Sequence, residues 1–431
     1  MGIEETDKSL TGSAAFEEHE SEVRSYCRKY PTVFTKAKGS ILYDENGREY
    51  IDFLCGAGSC NFGHNNSYIK EKVIDYLESD GILHGLDMYS KAKSEFIETL
   101  EHKILIPRGF NYKIMFPGPA GTIAVEAALK IVRKVTGRSN VMALTGGFHG
   151  MTLGALEVTT ERLARSACGV KLNNSVHVPH PCSMPGFDTI AYIEDLIEND
   201  HSGVDKPAAI IVESVQGEGG INILPVQWLK DIRELCDRHG ILLILDEIQC
   251  GCARCGSFFS FERSGIKPDV IVMAKSIGGM GLPSALVLVK PEYDVLVSGE
   301  HNGTFRGFQL AFVAGKAAIE YMLDNNIEAE ARRKGDIIID YLKKNMPLID
   351  SAISVRGLGC MCGIDLGRIK PGTAQTVRKK CFEKGLILEL SGREDTVVKI
   401  MPALNIEDDL LMKGLEIIKK SIIEAVSENN N

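Results

Sequence analysis

Short apolar segments alternate with longer segments of helical periodicity over most of the chain. The apolar segments are rich in Val and Ile and show no regular alternation with polar residues, which is typical of parallel strands covered on both faces. Amphipathic segments between them predict helices, for example over 122–136 and 226–239. The predicted strands are 112–116, 141–145, 208–212, 241–245, 270–273 and 285–289. This alternation predicts an α/β domain built on a wound parallel sheet.

The two ends of the chain follow other patterns. Residues 14–30 predict one helix, and 41–53 predict a hairpin because Asn46-Gly47 favours a tight turn. Beyond about residue 330, strand-like segments at 361–365 and 396–400 and helical segments at 372–384 and 407–427 predict a smaller α+β domain. We therefore expect an N-terminal segment (1–67) that joins the small domain, a large domain (68–329) and a C-terminal small domain (330–431).

Composition is that of an ordinary globular protein and excludes several classes of function. The 431 residues are 44% hydrophobic and 25% charged, which does not fit general disorder. The net charge is -9 and no Lys/Arg block is long enough to neutralise a run of phosphates, so we expect no nucleic-acid partner. No apolar stretch approaches the ~20 residues that span a bilayer, and Met1 to Leu10 lacks the pattern of a signal peptide. These features predict a cytoplasmic protein that does not bind membranes.

Twelve cysteines bear on disulfides and metal binding. Without an export signal, reduced thiols are the better expectation. Cys250, Cys252 and Cys255 form a C-x-C-x2-C cluster, and Cys360 and Cys362 form a second pair. The cluster has neither a matching second half nor the two-pair spacing of a zinc ribbon. We therefore expect no metal, and a zinc or iron protein built on these cysteines stays as an alternative that elemental analysis tests.

Polar residues directly follow several predicted strands, where ligands bind in wound α/β sheets. Glu213 follows the strand at 208–212, Asp246 follows 241–245, and Lys275 comes shortly after 270–273. A lysine that is partly desolvated has a lowered pKa and can attack an aldehyde, although a solvated lysine at a strand end is the alternative. Asp246 is suited to pair with a pyridinium nitrogen, which keeps a pyridine ring protonated and electron-withdrawing.

A glycine-rich turn, Gly118 to Thr122, runs into the helix predicted from residue 122. Free backbone N–H groups at the positive end of a helix suit a phosphate, although an ordinary helix start is the alternative. A lysine, an aspartate and an anion cradle together point to pyridoxal 5'-phosphate (PLP) as cofactor.

Longer motifs resemble the class III (ω) aminotransferases of PLP fold type I. The segment ILLILDEIQCGCARCGSFFSFERSGIKPDVIVMAKSIGGMGLP resembles the family signature around the aspartate and the lysine, and VESVQGEGGI, GGFHG, FLCGAGSCNFGHNN and HNGTFRG resemble further family segments. SEVRSYCRKYPTVFTKAKG and YLESDGILHGLDMYS bring the chain closest to the diaminobutyrate branch. The resemblance runs from about 15 to 425 and implies a large domain with a mostly parallel, seven-stranded type of sheet plus a smaller α+β C-terminal domain.

The resemblance also implies a role for each matching residue. Lys275 would bind the cofactor's aldehyde and later move a proton, and Asp246 would pair with the pyridinium nitrogen. Around the ring, the resemblance implies that Gln249 contacts the phenolate oxygen, Phe148 stacks on the ring and His149 shapes the ring wall. It implies that Gly121 and Thr122 hold the phosphate and that Thr304 reaches this phosphate from the neighbouring subunit. Glu213 would line the substrate side of the pocket. A packed loop histidine is the alternative for His149. Thr304 makes a homodimer or a larger homo-oligomer the expected assembly.

Two departures from the family pattern concern carboxylate recognition. Relatives such as the ornithine aminotransferases have an arginine directly after the Phe-x-Gly element, where this chain has Met151. They have a second arginine near the C-terminus, where this chain has Lys399. Lysine holds a carboxylate as a point charge and lacks the bidentate fork of arginine. Lys399 is therefore the candidate for binding a substrate carboxylate, with an ordinary strand lysine as the alternative.

The resemblance implies amino transfer between L-glutamate/2-oxoglutarate and aspartate 4-semialdehyde/L-2,4-diaminobutyrate. The alternatives within the family are another ω-aminotransferase, acting on ornithine, 4-aminobutyrate or a related diamine, and an aminomutase or racemase. A catalytically silent PLP-binding protein is the alternative outside enzymes.

Overall fold

A computed structural model describes residues 14–429 of the chain. Met1 to Leu10, where the sequence predicts no signal peptide, lie outside this range, and so do the first residues of the predicted N-terminal segment. No helix between residues 14 and 429 combines the length and the apolar character that crossing a bilayer requires.

A seven-stranded sheet forms the centre of the fold. Its spatial order is Lys113–Met115, Ala285–Val289, Val270–Ala274, Leu242–Asp246, Ala209–Val212, Val141–Leu144 and Ser175–Val178. The six predicted strands are confirmed. The edge strand Ser175–Val178 was not predicted, because it is short and mixes polar with apolar residues.

One strand contradicts the predicted direction. Ala285–Val289 runs antiparallel to both of its neighbours, whereas the other strands of the sheet run in one direction. The segment 275–284 makes a tight turn instead of the helical crossover that a parallel neighbour needs. This turn brings the chain back at the edge of the sheet where the parallel strands end.

Helices cover both faces of this sheet, as the unbroken apolar strands predict. In Val270–Ala274, Ile271 and Met273 pack into one core and Val270 and Val272 into the core on the opposite face. The helices of this part of the chain are Ser67–Glu78, Lys91–Leu100, Gly121–Thr136, Leu153–Val158, Arg162–Ser166, Thr189–Glu198, Val226–His239 and Gln309–Asp324. The predicted helices at 122–136 and 226–239 are confirmed.

The C-terminal part has a core of its own. Four strands form its sheet in the order Ser354–Leu358, Met361–Asp365, Val397–Ile400 and Glu389–Ser391, and the helices Ile327–Ile349, Thr373–Glu383 and Asp408–Asn429 pack with it. The predicted hairpin is confirmed as Ile41–Asp44 paired with Glu49–Asp52, in a sheet with Phe34–Lys38 and Leu386–Ile387. Ile51 and Phe53 enter the C-terminal core, so the N-terminal hairpin packs with the last hundred residues.

The single helix predicted over 14–30 is wrong. The structure has two short helices, Ala14–His19 and Tyr26–Lys29, with no helix between them. Acidic residues crowd this stretch at Glu17, Glu18, Glu20 and Glu22, and like charges at helical spacing destabilise a continuous helix. Arg24 instead donates to the carbonyl oxygens of Phe16 and Ser21.

Candidate active site

A cavity of about 370 Å³ opens where the parallel strands end. Strands and the loops that follow them supply most of its wall, as expected for a wound α/β sheet. The lining includes Gly121, Thr122, Phe148, His149, Met151, Glu213, Asp246, Gln249 and Lys275, together with Ser59, Glu218 and Ser284, which the sequence analysis did not single out. Thr304 and Lys399 do not line the cavity of their own chain within residues 14–429.

Lys275 is the first residue after the buried strand Val270–Ala274 and begins a tight helical turn to Gly278. Its φ of 55° lies in the left-handed region, which a residue with a side chain adopts only when its surroundings hold it there. Burial lowers the pKa of the Lys275 amine below its ordinary value, and the nearby charge of Glu218 partly opposes this. Desolvation thus favours the neutral, nucleophilic form of the amine.

Asp246 and His149 form a buried pair at the bottom of the cavity. Asp246 ends the strand Leu242–Asp246 and is 3% exposed, and its Oδ2 lies 2.7 Å from Nδ1 of His149. Burial opposes the charged form of His149, but the hydrogen bond and the charge of Asp246 outweigh it and raise the pKa of the imidazole. The backbone N–H of His149 donates to Thr159 Oγ1. His149 therefore fixes the orientation of the Asp246 carboxylate.

Glu213 stands beside this pair, directly after the strand Ala209–Val212. Its carboxylate accepts hydrogen bonds from the backbone N–H groups of Phe148 (3.1 Å) and Gly217 (3.2 Å). Burial, with a contribution from the Asp246 charge, raises the pKa of Glu213 to about 7. Glu213 thus holds the loop that carries Phe148 against the cavity.

The predicted anion cradle is the start of the helix Gly121–Thr136. The backbone N–H groups of Gly121 and Thr122 have no hydrogen-bond acceptor among the described residues, and both residues line the cavity. Gly150 packs so closely here that a Cβ would lie 2.3 Å from Thr122 Oγ1. Only a glycine fits at this position, so the GGFHG motif and the helix start form one wall.

Gln249 contributes an unsatisfied polar atom. Its Nε2 donates to the carbonyl oxygen of Ala57 (3.1 Å) and to Glu218 Oε1 (3.2 Å). Its Oε1 is buried and has no hydrogen-bond partner in the described part of the chain. Buried polar atoms of this kind are rare in folded proteins and are expected where a ligand completes the site.

Lys399 does not project into the cavity as a free cation. It is 0% exposed, and its Nζ lies 2.7 Å from Glu218 Oε1 and 2.7 Å from Glu389 Oε2. Burial lowers the pKa of Lys399, but the two carboxylates outweigh it and raise that pKa. Tyr26 Oη donates to Glu389 Oε1 at 2.5 Å. Lys399 thus belongs to an enclosed ion-pair cluster, and the direct binding of a substrate carboxylate predicted from the sequence stays untested.

The sequence analysis missed three of these cluster residues. Glu218 stands in the QGEGG motif, a few residues after the strand Ala209–Val212. This position near the end of a parallel strand could have indicated a residue of the site. Tyr26 stands in the SEVRSYCRKY segment, but no local pattern connects it with Glu389, because 363 positions separate the two residues along the chain.

The cysteines and Thr304 lie apart from the cavity wall. Cys250, Cys252 and Cys255 are buried free thiols, and burial raises the pKa of each above its ordinary value. Cys250 Sγ lies 3.3 Å from Ser260 Oγ, whereas Cys255 Sγ lies 3.9 Å from Met361 Sδ, so these two thiols face different neighbours. Thr304 lies on an exposed segment.

The wound α/β fold and a cavity lined by Lys275 and Asp246 are typical of PLP-dependent enzymes. Comparison with known proteins identifies the family. Residues 24–422 match the family model "Aminotransferase class-III", and the chain belongs to this family. A diaminobutyrate–2-oxoglutarate transaminase of Bordetella parapertussis is 49% identical over 416 residues, which cover 96% of this chain and 95% of the relative. The enzyme of the same name from Sporosarcina pasteurii is 47% identical over 424 residues, covering 98% of this chain and 99% of the relative.

Solved structures agree with the fold. The ornithine aminotransferase of Toxoplasma gondii is 25% identical, with a TM-score of 0.85 and coverage of 98% of this chain and 97% of that one. A Bacillus anthracis aminotransferase is also 25% identical, with a TM-score of 0.86 and coverage of 98% and 100%. The family and the α/β fold with a smaller C-terminal part, both expected from the sequence, are confirmed.

The Asp246–His149 pair generates a prediction about the imidazole. In Asp246→Asn, the burial of His149 remains but the carboxylate charge is lost, so the pKa of His149 falls. NMR titration of protein labelled with 15N-histidine measures this shift. His180, whose pKa burial alone lowers to about 4, serves as the internal control and should not move. An unchanged His149 pKa in the variant would mean that the pair does not set the charge of the imidazole.

Proposed function

We propose that the protein is a PLP-dependent aminotransferase that moves an amino group between L-glutamate/2-oxoglutarate and aspartate 4-semialdehyde/L-2,4-diaminobutyrate. The observation that carries the proposal is one cavity lined by the desolvated Lys275 amine, the buried Asp246 carboxylate and the free helix start at Gly121. The names of relatives 47–49% identical over nearly the whole chain support the substrate pair.

The donor set of the cavity fits PLP. The N–H groups of Gly121 and Thr122 suit its phosphate, and the carboxylate of Asp246 suits its pyridinium nitrogen. The orphan atom of Gln249, Oε1, is an acceptor and would suit a donor of the bound ligand, whereas its Nε2 already donates to Ala57 and Glu218. The contact with the phenolate oxygen that the resemblance implies for Gln249 therefore stays a prediction, and the fit rests on the phosphate cradle and Asp246. When bound, PLP supplies an aldehyde for the amino group and an electron-withdrawing ring.

The residues of the chain then have distinct tasks. Lys275 would act first as the amine that holds the cofactor. Its Nζ would afterwards accept and return a proton, and burial, which lowers its pKa, favours the neutral amine that this task needs. Asp246, oriented by His149, would keep the ring nitrogen protonated. Phe148 would cover one face of the ring, and its loop is fixed by Glu213, which also lines the cavity and would face the substrate.

An assay with candidate substrates tests the reaction. We expect L-glutamate and aspartate 4-semialdehyde together to yield 2-oxoglutarate and L-2,4-diaminobutyrate. A protein that turns over only with ornithine or 4-aminobutyrate as the amino compound would favour another ω-aminotransferase. Turnover without any 2-oxo acid would favour an aminomutase or racemase, and cofactor absorption without reaction would favour a silent PLP-binding protein.

Replacement of the lysine separates cofactor binding from catalysis. We expect Lys275→Ala to keep PLP by non-covalent contacts, because the phosphate cradle and Asp246 remain, and to lose turnover by a factor of roughly 10⁴ or more, as for other residues that act in the chemical step. Steady-state kinetics and a cofactor assay measure the two effects. Lys413→Ala, on an exposed face of the helix Asp408–Asn429, is the matched control. Near wild-type turnover in Lys275→Ala would refute the assigned role.

We also propose that the protein is a cytoplasmic homodimer or larger homo-oligomer, in which Thr304 reaches the phosphate of the neighbouring subunit. Exposed apolar residues beside Thr304 and in the segment 82–89 support an interface there: Ile82, Leu83, Leu86, Met88, Tyr89 and Phe305. The rings of His84 and Phe305 lie 5.3 Å apart, so the two segments are neighbours.

The division into an N-terminal segment, a large domain and a small domain, with boundaries at 67 and 329, is likewise a proposal. The packing of Ile51 and Phe53 in the C-terminal core supports it.

The assembly is tested by its mass. Light scattering on the active fraction should give at least twice the chain mass of 47.2 kDa. Tyr89→Asp places a charge in the apolar surface and should weaken association and activity together, whereas Ile423→Asp, at an exposed site on the C-terminal helix, should change neither. A fully active monomer would contradict the proposal.

A further inference from the structure

Four side chains form a connected ion-pair cluster at one wall of the cavity. Lys399 lies between Glu218 and Glu389 with both N–O distances at 2.7 Å, and Tyr26 donates to Glu389. Glu389 and Lys399 come from neighbouring antiparallel strands and are directly opposite each other in the register. Tyr26 comes from the second short helix of the N-terminal segment. Segments far apart in the chain therefore meet on one buried cation.

The cluster carries one more negative charge than positive charge. Two carboxylates and one ammonium give a net charge of -1, since Tyr26 is neutral. Burial and the charge of Glu389 raise the pKa of Tyr26 above its ordinary value, which keeps the phenol protonated. Either carboxylate alone would neutralise Lys399, so the presence of both leaves one negative charge in excess, and removing the charge of Glu389 removes that excess.

Glu218 is the member of the cluster that presents this charge to the cavity. Its side chain is 33% exposed and lines the cavity, whereas Lys399 is fully enclosed and Glu389 is nearly so. The side-chain hydrogen bonds of Glu218 in the described residues, from Lys399 and Gln249, both use Oε1. Burial would raise the pKa of Glu218, but the charge of Lys399, together with that of Lys275 whenever this amine is protonated, outweighs it and lowers that pKa to about 2. Oε2 thus remains without a side-chain donor among the described residues, on an ionised carboxylate that lines the cavity.

We infer that Glu218 binds the second ammonium group of a diamine substrate, and that Glu389, Lys399 and Tyr26 are positioning residues that hold Glu218 and supply its excess negative charge. This inference rests on the proposed function and specifies how the site selects its substrate. With the γ-amine of L-2,4-diaminobutyrate at Lys275, the far end of the molecule carries an α-ammonium. An ionised carboxylate and an ammonium form a charge-assisted hydrogen bond, which is stronger than one between neutral groups.

A matched pair of substrates isolates this contact. L-2,4-Diaminobutyrate and 4-aminobutyrate share the γ-amine, the chain length and the carboxylate, and differ only in the α-ammonium. The ratio of their kcat/KM values therefore reports on recognition of that group. A purely structural role for the cluster would lower both kcat/KM values together and leave the ratio unchanged.

The experiment measures this ratio in the PLP-loaded wild type, in Glu389→Gln and in a control. We expect the wild type to prefer L-2,4-diaminobutyrate at least about tenfold, the size of one charge-assisted contact. Glu389→Gln removes the excess charge without changing the size of the side chain, and should reduce the preference roughly tenfold. Glu383→Gln removes an exposed charge from the adjacent helix Thr373–Glu383 and should leave the ratio unchanged.

The outcomes separate this inference from the proposed function. If the wild type does not convert L-glutamate into 2-oxoglutarate, the proposed function fails. If it converts L-glutamate but uses both amines equally well, or if Glu389→Gln keeps the wild-type preference, the inference alone is overturned. Should Glu389→Gln fail to fold, the wild-type ratio and the ratio in Glu218→Gln decide the question in the same way.

Discussion

The site depends on holding charged side chains in a place from which water is largely excluded. Asp246 is buried at the end of one strand, and Lys275 follows the end of the neighbouring strand, so the register of two parallel strands brings them to the same cavity. An uncompensated buried charge costs several kcal/mol, so each of these groups needs a partner or must change its protonation. The structure uses both solutions, since His149 pairs with Asp246, whereas burial favours the neutral form of Lys275.

Two groups of ionisable side chains lie near this lysine. His149, Asp246 and Glu213 form the first group, which lies at or just after the ends of the parallel strands. Glu218, Lys399 and Glu389 form the second group, which connects the cavity with the C-terminal sheet. The first group is suited to tuning a cofactor ring, and the second to sorting substrates by charge. The low pKa of Glu218, about 2, and the raised pKa of Glu213, about 7, show how strongly the two environments differ.

The sequence was informative wherever the structure follows from local pattern. Unbroken apolar runs predicted six of the strands, and the residues just after three of them, Glu213, Asp246 and Lys275, line the cavity as the rule for parallel sheets requires. The direction of Ala285–Val289 was missed because a buried antiparallel strand inside such a sheet has the same apolar pattern as a parallel one. The helix over 14–30 failed because periodicity ignores competition from Arg24 and crowded acidic residues.

The cluster around Lys399 was beyond reach of sequence reasoning for a different reason. The lysine was identified, but its state depends on Glu218 and Glu389, which approach it only through the tertiary fold. A residue type and a position indicate that a charge is present, whereas its availability depends on which partners enclose it. Glu218 and Glu389 enclose Lys399, and in our proposal the lysine supports Glu218.

The central claim is that one particular amine, that of Lys275, carries the cofactor. Borohydride reduction of the PLP-loaded protein, followed by proteolysis and mass spectrometry, tests this claim most directly. The account predicts a single reduced pyridoxyl phosphate adduct, on the peptide that contains Lys275. An adduct on another lysine, or no adduct in protein that has been supplied with PLP, would contradict it.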